Sequence, residues 1–203
     1  VMLPVFPAGP VERNVPGFTN PVVGFELAST PEHVFGILGH PENPARPAAV
    51  AGMNRGNRID FLFMIAYPML YVGIILLLHA RGRLPGGVGR LLFALPVVMW
   101  FGDLMENRQL LELAGLTDPA AMAAPLARLR PYTIMKWHAL FGTSILVAWA
   151  IWQDRSWWRW AGPLFGIAAL TGFASVVALP AIEIAAYLLS LAWIVTWVYS
   201  LRA

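Results

Sequence analysis

The sequence predicts an all-α integral membrane protein, a bundle of about five transmembrane helices with a Pro-rich N-terminal extramembrane arm. Three observations lead to this fold class. Hydrophobic residues make up 58% of the 203 residues and charged residues only 12%, about half the charged fraction of an ordinary globular domain. The mean hydropathy is +0.63. Long uncharged stretches follow residue 60, whereas nine of the 17 prolines lie before residue 52.

Composition also excludes several classes of function. The chain has no cysteine, which rules out a disulfide framework, a zinc–thiolate site and a cysteine nucleophile. Its net charge of +3 comes from thinly spread arginines, without the basic and aromatic runs of a nucleic-acid binder. No phosphate-binding loop or metal-ligand spacing occurs, so we assign no catalytic residue and no metal. The predicted partners are the lipid bilayer and other membrane protein subunits, and no nucleic acid.

Residues 1–58 are predicted to form the Pro-rich extramembrane arm. Each proline lacks an amide donor and constrains the residue before it, so a long helix is not expected here. One short helix is predicted from Ser29-Thr30-Pro31-Glu32, where an N-cap precedes Pro and Glu. It should run to Leu38 and end at Gly39. No signal peptide is expected, because no charged start and apolar core precede Pro4. A disordered tail is the alternative.

Residues 59–203 are predicted to form the transmembrane helical domain, with spans at about 60–79, 88–115, 133–153, 161–178 and 182–201. Phe61–Leu78 is uncharged over 18 residues, close to the ~20 needed to cross the hydrocarbon. A single helix over 161–201 would be ~60 Å long, about twice that thickness, so the chain must turn near Pro180. The Pro-containing segment Leu116–Pro131 is expected to be a loop.

Basic residues in the short connections predict the orientation. On the side opposite the arm these are Arg81, Arg83, Arg90, Arg155, Arg159 and Arg202. Cytoplasmic loops are enriched in such residues, so the arm is expected on the outer face of the membrane and the C-terminus in the cytoplasm. Trp157, Trp158 and Trp160 fit an interfacial aromatic belt.

With five spans, most of the ionisable groups at the ends of the spans lie on the same side of the membrane as the arm. This polar intramembrane cluster comprises Asp60, Asp103, Glu106, Asn107, Lys136 and Glu183. Asp103, Glu106 and Asn107 share one helical face with Leu110, whereas Arg108 and Glu112 point elsewhere and can pair. Lys136, the only lysine, is the predicted partner of the acids. The cluster is either an ion-pair network that fixes helix packing, a catalytic or transport site, or a metal or ligand site.

Two further features concern ligands and helix packing. His138 could contact a chlorin or porphyrin pigment through a ring nitrogen, and an interface histidine is the alternative. A bound lipid is the other expected ligand. Gly162 and Gly166 form a small-residue motif that lets helix backbones approach closely. We expect it to pack against the fifth span, with an intersubunit contact as the alternative.

Several short motifs carry a resemblance. They are Phe25-Glu26-Leu27-Ala28, Thr30-Pro31-Glu32, Asp60-Phe61-Leu62-Phe63, Asp103-x-x-Glu106-Asn107 and Lys136-Trp137. With these motifs the chain resembles a family of small bacterial multi-span integral membrane proteins to which no activity is assigned. The resemblance implies that the acidic cluster is a shared feature, and it does not name a chemistry.

The expected function is that of a non-catalytic accessory or structural subunit of a larger membrane complex of respiratory or photosynthetic type. The apolar fifth span, the small-residue motif and the Pro-rich arm favour this interpretation. The alternative is a small intramembrane enzyme or transporter that uses Asp103, Glu106 and Lys136.

Overall fold

A computed structural model describes residues 6–7, 9–82, 84, 86–153 and 157–200, and most of these residues are helical. The helices are α1 (Pro21–Glu26), α2 (Pro31–Leu38), α3 (Arg46–Ala80), α4 (Gly86–Gly115), α5 (Pro119–Trp152), α6 (Gly162–Phe173) and α7 (Ala181–Ser200). Short 3-10 helices, Trp157–Ala161 and Ala174–Val176, flank α6. The predictions on Pro4, Arg83, Arg155 and Arg202 and on the side chains of Trp157 and Trp158 lie outside the described residues.

The chain divides into two compact units. The arm unit comprises Met2–Ile65 and Phe101–Met135, and the C-terminal unit comprises Ala66–Trp100 and Lys136–Ala203. Each of the three long helices α3, α4 and α5 therefore contributes one part to each unit. Asp60, Asp103, Glu106 and Asn107 belong to the arm unit, whereas Lys136 and Glu183 belong to the C-terminal unit.

The arm contains two short helices where the sequence predicts one. The predicted helix is confirmed as α2, with Thr30 as its N-cap and Gly39 at its end with φ 88°. The additional helix α1 begins after Asn20, whose side-chain oxygen accepts hydrogen bonds from the amides of Val22 and Val23. Asn at the N-cap followed by Pro is a start signal that the sequence analysis missed.

The segment of the arm before α1 packs closely on α2. The amide of Val11 donates to the carbonyl of Ile37 at 2.9 Å, and the amide of Arg13 donates to the carbonyl of Gly36, also at 2.9 Å. A Cβ on Gly36 would lie 2.8 Å from the Arg13 carbonyl oxygen, so this contact requires glycine. Val23 and Phe25 in α1 are fully buried. The described part of the arm is therefore held together by backbone hydrogen bonds and buried apolar side chains.

Helix α3 begins at Arg46, so the predicted arm boundary at residue 58 falls inside a helix. The Asn43 side chain accepts a hydrogen bond from the amide of Ala45 at 2.9 Å, just before the first turn. Pro47 is tolerated in that turn, because its missing amide donor would have no intrahelical acceptor there. The alanines that follow favour helix, and these local preferences outweigh the proline density used to predict an extended arm.

Helix α5 begins at Pro119, so the predicted loop Leu116–Pro131 is wrong for most of its length. Asp118 Oδ1 accepts a hydrogen bond from the amide of Ala120 at 2.9 Å and caps the helix. Pro119 then occupies the first helical position, where a fixed φ favours helix. Four alanines follow within five residues and add propensity. Pro125 and Pro131 are accommodated inside α5.

Three of the described helices, α3, α4 and α5, are long and apolar enough to cross a membrane. Helix α4 begins two residues before the predicted span 88–115 and ends with it. Helix α6 has 12 residues, which corresponds to ~18 Å of α-helix. It packs extensively against α7, and the 3-10 helix Ala174–Val176 and a turn connect the two helices.

Candidate functional site

The polar cluster begins with a hydrogen bond between α3 and α4 in the arm unit. Asn107 Nδ2 donates to Asp60 Oδ2 at 2.8 Å and also lies 3.4 Å from the sulfur of Met64. Asp60 and Met64 are one turn apart on α3, so a single amide contacts both. A hydrogen bond to a carboxylate is stronger than one between neutral groups. This contact therefore sets the register between the two helices.

One face of α4 carries the two buried acids. Asp103 is 3% exposed and Glu106 is 1% exposed, and Asn107 and Leu110 on the same face are also buried. Acids are rarely buried to this extent unless they are paired or functional. The arrangement places two carboxylates and an amide on one side of a single helix, where they can accept hydrogen bonds, exchange a proton or contribute to a cation site.

The pairing expected between Arg108 and Glu112 is wrong. Glu112 accepts hydrogen bonds from Arg128 on α5, with the shorter N–O distance at 3.2 Å. The Arg128 Nε also donates to the side-chain oxygen of Gln109 at 2.9 Å. Arg108 is exposed. The sequence analysis placed Arg128 in a loop, so this helix-to-helix link between α4 and α5 could not be anticipated.

Lys136 and Glu183 are buried in the C-terminal unit. The Lys136 ammonium lies 5.1 Å from the centre of the Trp137 ring, a cation–π distance. Glu183 lies in the first turn of α7, where the helix dipole favours a negative charge. Their convergence with Asp103 and Glu106 stays a prediction.

Arg46 is a structural residue that the sequence analysis did not single out. It is buried at the start of α3, and its guanidinium donates to the carbonyls of Gly39 and Leu116, the latter at 2.7 Å. It also lies 5.5 Å from the centre of the Phe35 ring. One side chain thus joins α2, the start of α3 and the end of α4. No local sequence signal distinguishes this arginine from the others.

Asn57, one turn before Asp60 on α3, is another buried polar residue of the arm unit. It is 2% exposed, and its side-chain nitrogen has no hydrogen-bond partner among the described residues. Burial of an unsatisfied amide nitrogen costs free energy. Its place on α3 extends the polar face of that helix away from Met64.

His138 is half-buried among aromatic rings in the C-terminal unit. Its ring centre lies 5.6 Å from that of Phe173 and 6.5 Å from that of Phe141, in edge-to-face orientations. Such packing is typical of a structural aromatic cluster. Ligation of a chlorin or porphyrin by His138 stays a prediction.

The small-residue motif packs against a different helix from the expected one. A Cβ on Gly162 would lie 2.9 Å from the Ala148 carbonyl oxygen, and a Cβ on Gly166 would lie 3.7 Å from the Ala148 side chain. Ala148 belongs to α5, so the predicted packing of this motif against the fifth span is wrong. The spacing of small residues indicates close approach, but it does not identify the neighbouring helix.

A buried hydroxyl pair also joins α3 to α5 in the C-terminal unit. The Tyr71 hydroxyl lies 2.6 Å from Ser144 Oγ, and Ser144 in turn donates to the Leu140 carbonyl at 2.8 Å. Tyr71 is therefore the donor to Ser144. The Trp193 ring on α7 lies edge-to-face against Tyr71, with 6.1 Å between ring centres. This group holds three helices together, and among the described residues no base is hydrogen-bonded to the serine hydroxyl, as a nucleophile would require.

The ionisable groups with shifted pKa values outside the long helices lie in the arm. The His40 amide and the Asn43 side chain donate to Glu12 and hold its pKa below the ordinary value of 4.5. Partial burial lowers the pKa of His33 below 6.5, and the nearby Arg13 charge adds to this. Both shifts couple protonation to the packing of the arm on α2.

Among the described residues, no group of three or more His, Asp or Glu side chains could hold a metal ion. The geometry offers buried carboxylates on α4, a hydroxyl pair and an aromatic cluster. No protein-family model, no curated protein and no solved structure matches this chain. The family resemblance carried by the short motifs stays a prediction.

Proposed function

We propose that the chain is a five-span integral protein of a bacterial inner membrane, with its arm on the periplasmic side. The support is the amount of exposed apolar surface. Side chains more than half exposed include Leu62, Ile65 and Met69 on α3, Val97 on α4, and Ile167 and Leu170 on α6. In water, exposed apolar surface of this kind promotes association or aggregation. A lipid environment removes that penalty.

The lengths of α6 and α7 are compatible with the fourth and fifth spans. Helix α6 alone is too short, but the flanking 3-10 helices continue it over residues 157–176. A 3-10 helix rises ~2.0 Å per residue and an α-helix 1.5 Å, which gives a total of about 34 Å. The 20 residues of α7 correspond to ~30 Å. Both lengths match a hydrocarbon core of ~30 Å.

Within this topology, we propose that the protein is a non-catalytic accessory subunit of a larger membrane complex of respiratory or photosynthetic type. The observation that carries this proposal is one stripe on α7. Its exposed residues are Ile184, Tyr187, Leu191, Ile194 and Val198. They are separated by three and four residues in alternation, as in the seam of a coiled coil. The opposite face, with Ala185 and Leu189, is buried. A partner helix can therefore pack along the whole length of this α7 stripe.

The test is extraction of the native complex in a mild detergent, with the mass measured by native mass spectrometry. Leu191→Trp on the α7 stripe should reduce the amount of complex, because an added indole prevents close helix packing. Val97→Trp on α4 is the matched control, since Val97 is also exposed and lies outside the stripe. Recovery of only free monomer from the unsubstituted protein would contradict the subunit proposal.

A second candidate function is favoured by the burial of Asp103 and Glu106 on one face of α4. Such acids in a membrane segment commonly serve proton or ion pathways. In this alternative the chain is a small intramembrane enzyme or transporter that uses Asp103, Glu106 and Lys136. Single substitutions Asp103→Asn and Glu106→Gln distinguish the two. Loss of a cellular activity with intact assembly would favour the transporter or enzyme, whereas loss of assembly alone would favour a packing role.

A further inference from the structure

A groove of about 670 Å³ lies in the arm unit between α2 and α5. One wall is a face of α5 that presents Ala123, Ala127, Arg130 and Ile134, at steps of four, three and four residues. The other wall is the start of α2, Ser29–Pro31. Neither the polar cluster nor the α7 stripe includes any of these residues. The volume is in the range of small-molecule sites.

The chemistry of the groove is that of an amphiphile site. Most of its lining is alanine, proline, leucine or isoleucine, so it offers hydrocarbon contact over most of its length. From Arg130 back to Pro119 the α5 wall runs for 11 residues, about 16 Å of helix. The amides of α5 are largely engaged within the helix. An extended peptide would bring a row of amide groups that this lining cannot satisfy.

Among the described residues that line the groove, Arg130 is the only charged one. Its side chain is exposed, and it forms no ion pair with any residue in the described ranges. The nearby Arg128 differs, because it is already bound to Gln109 and Glu112. A guanidinium presents a planar set of donors that matches a carboxylate in a bidentate geometry. The Ser29 and Thr30 hydroxyls add polar groups on the opposite wall.

We propose that this groove binds a long-chain fatty carboxylate, with the carboxylate on Arg130 and the acyl chain along α5 toward Pro119. Charge complementarity selects an anion, and the apolar lining selects a hydrocarbon chain. The limited volume favours one chain over the two of a phospholipid. The proposal is independent of the number of membrane spans, since every lining residue belongs to the arm unit.

The test uses the full chain in nanodiscs of phosphatidylcholine, with a palmitate analogue that carries a photoreactive diazirine. We expect crosslinks, mapped by mass spectrometry, within residues 119–134. Arg130→Gln should reduce this labelling about tenfold through loss of the charge-assisted contact. Ala127→Trp should reduce it by filling the groove. Arg108→Gln is the matched control, because it removes an exposed arginine from α4 and should leave the labelling unchanged.

A second experiment uses a diazirine analogue of hexadecanol, which lacks the carboxylate, on the unsubstituted protein. Its result does not depend on whether any variant folds. Weak labelling by this neutral probe supports the proposal, and labelling equal to that by palmitate overturns it. Full labelling of Arg130→Gln by palmitate would also overturn it, as would crosslinks from a photoreactive phosphatidylglycerol in place of palmitate. Alkaline carbonate extraction of the same samples tests membrane insertion separately. Failure of the fatty-acid proposal can therefore be distinguished from failure of the proposal that the chain is an integral membrane protein.

Discussion

Substitution of Gly162 and of Gly166 in α6 by alanine should have opposite effects on stability. A Cβ at residue 162 would lie 2.9 Å from the Ala148 carbonyl oxygen and 3.4 Å from the Trp152 amide nitrogen. Both atoms belong to the backbone of α5, so they cannot move aside as a flexible side chain would. Helix α6 must then shift away from α5. Overpacking of this kind costs about 1–3 kcal/mol.

Gly166 provides the contrast within the same helix. A Cβ there would lie 3.7 Å from the Ala148 side chain, which is an ordinary van der Waals distance. Alanine in a helix interior is favoured over glycine by up to ~1 kcal/mol. The two variants should therefore differ by roughly 2–4 kcal/mol in the free energy of unfolding. For a chain of this size, that corresponds to a Tm difference on the order of 5–10 °C.

The assay is thermal unfolding in one detergent, followed by far-ultraviolet circular dichroism. Gly73→Ala on α3 controls for helix propensity alone, because nothing lies within 4 Å of a Cβ at that position. We expect Gly162→Ala to melt below the unsubstituted protein and Gly166→Ala to melt at or above it. If Gly162→Ala melts together with Gly166→Ala, the proposed contact between α6 and α5 is wrong.

Three further predictions concern the arm unit. Arg46→Met should lower the free energy of unfolding by about 2–4 kcal/mol, because two carbonyls lose their buried donor. Limited proteolysis should then cleave the chain between α2 and α3 faster than in the unsubstituted protein. An unchanged cleavage rate would contradict the role of Arg46. Asn107→Leu should destabilise by about 1–3 kcal/mol through loss of the amide that binds Asp60, and a neutral result in chemical denaturation would refute that contact. Acidification should loosen the arm in two stages. The folded pKa values of His33 and Glu12 lie below the ordinary values of 6.5 and 4.5, so the unfolded chain binds more protons. The stabilisation that each group contributes to the folded arm is present above its ordinary pKa and is lost as the pH falls through its lower, folded pKa. Hydrogen exchange of the Val11 and His40 amides should therefore be slow at neutral pH and accelerate in acid. Protection of these amides that does not depend on pH would exclude this linkage.

Local sequence signals predicted the elements whose start and stop are encoded within a few residues. Helix α2 is an example, since Thr30, Pro31 and Gly39 define both of its ends. Helix α4 is another, because leucines at helical spacing (Leu104, Leu110, Leu111 and Leu113) continue the apolar pattern past the acids to Gly115. The start of α5 was missed because three prolines in Leu116–Pro131 were given more weight than the Asp118 cap and the alanines that follow. Proline density is a reliable signal only where no cap and no helix-forming run accompany it.

The candidate sites were less accessible to sequence analysis. Helical spacing placed Asp103, Glu106 and Asn107 on one face, and all three are buried. Spacing did not reveal that Asn107 binds Asp60, or that Glu112 binds Arg128 on another helix. Arg46 and the groove around Arg130 were missed, because each depends on segments that are distant in the sequence. No periodicity within one helix reports such contacts.

Composition and local pattern by themselves predicted a helical chain with about five apolar spans, and three of the described helices are long and apolar enough to cross a membrane. Those properties depend on residues within one or two turns of each other, so they can be read along the chain. Only the tertiary structure decided that Gly162 faces α5, that Arg46 joins α2 to α4, and that Arg130 lines a groove with Ser29. These contacts arise from packing of distant segments, where the shape and charge of both surfaces select the partner.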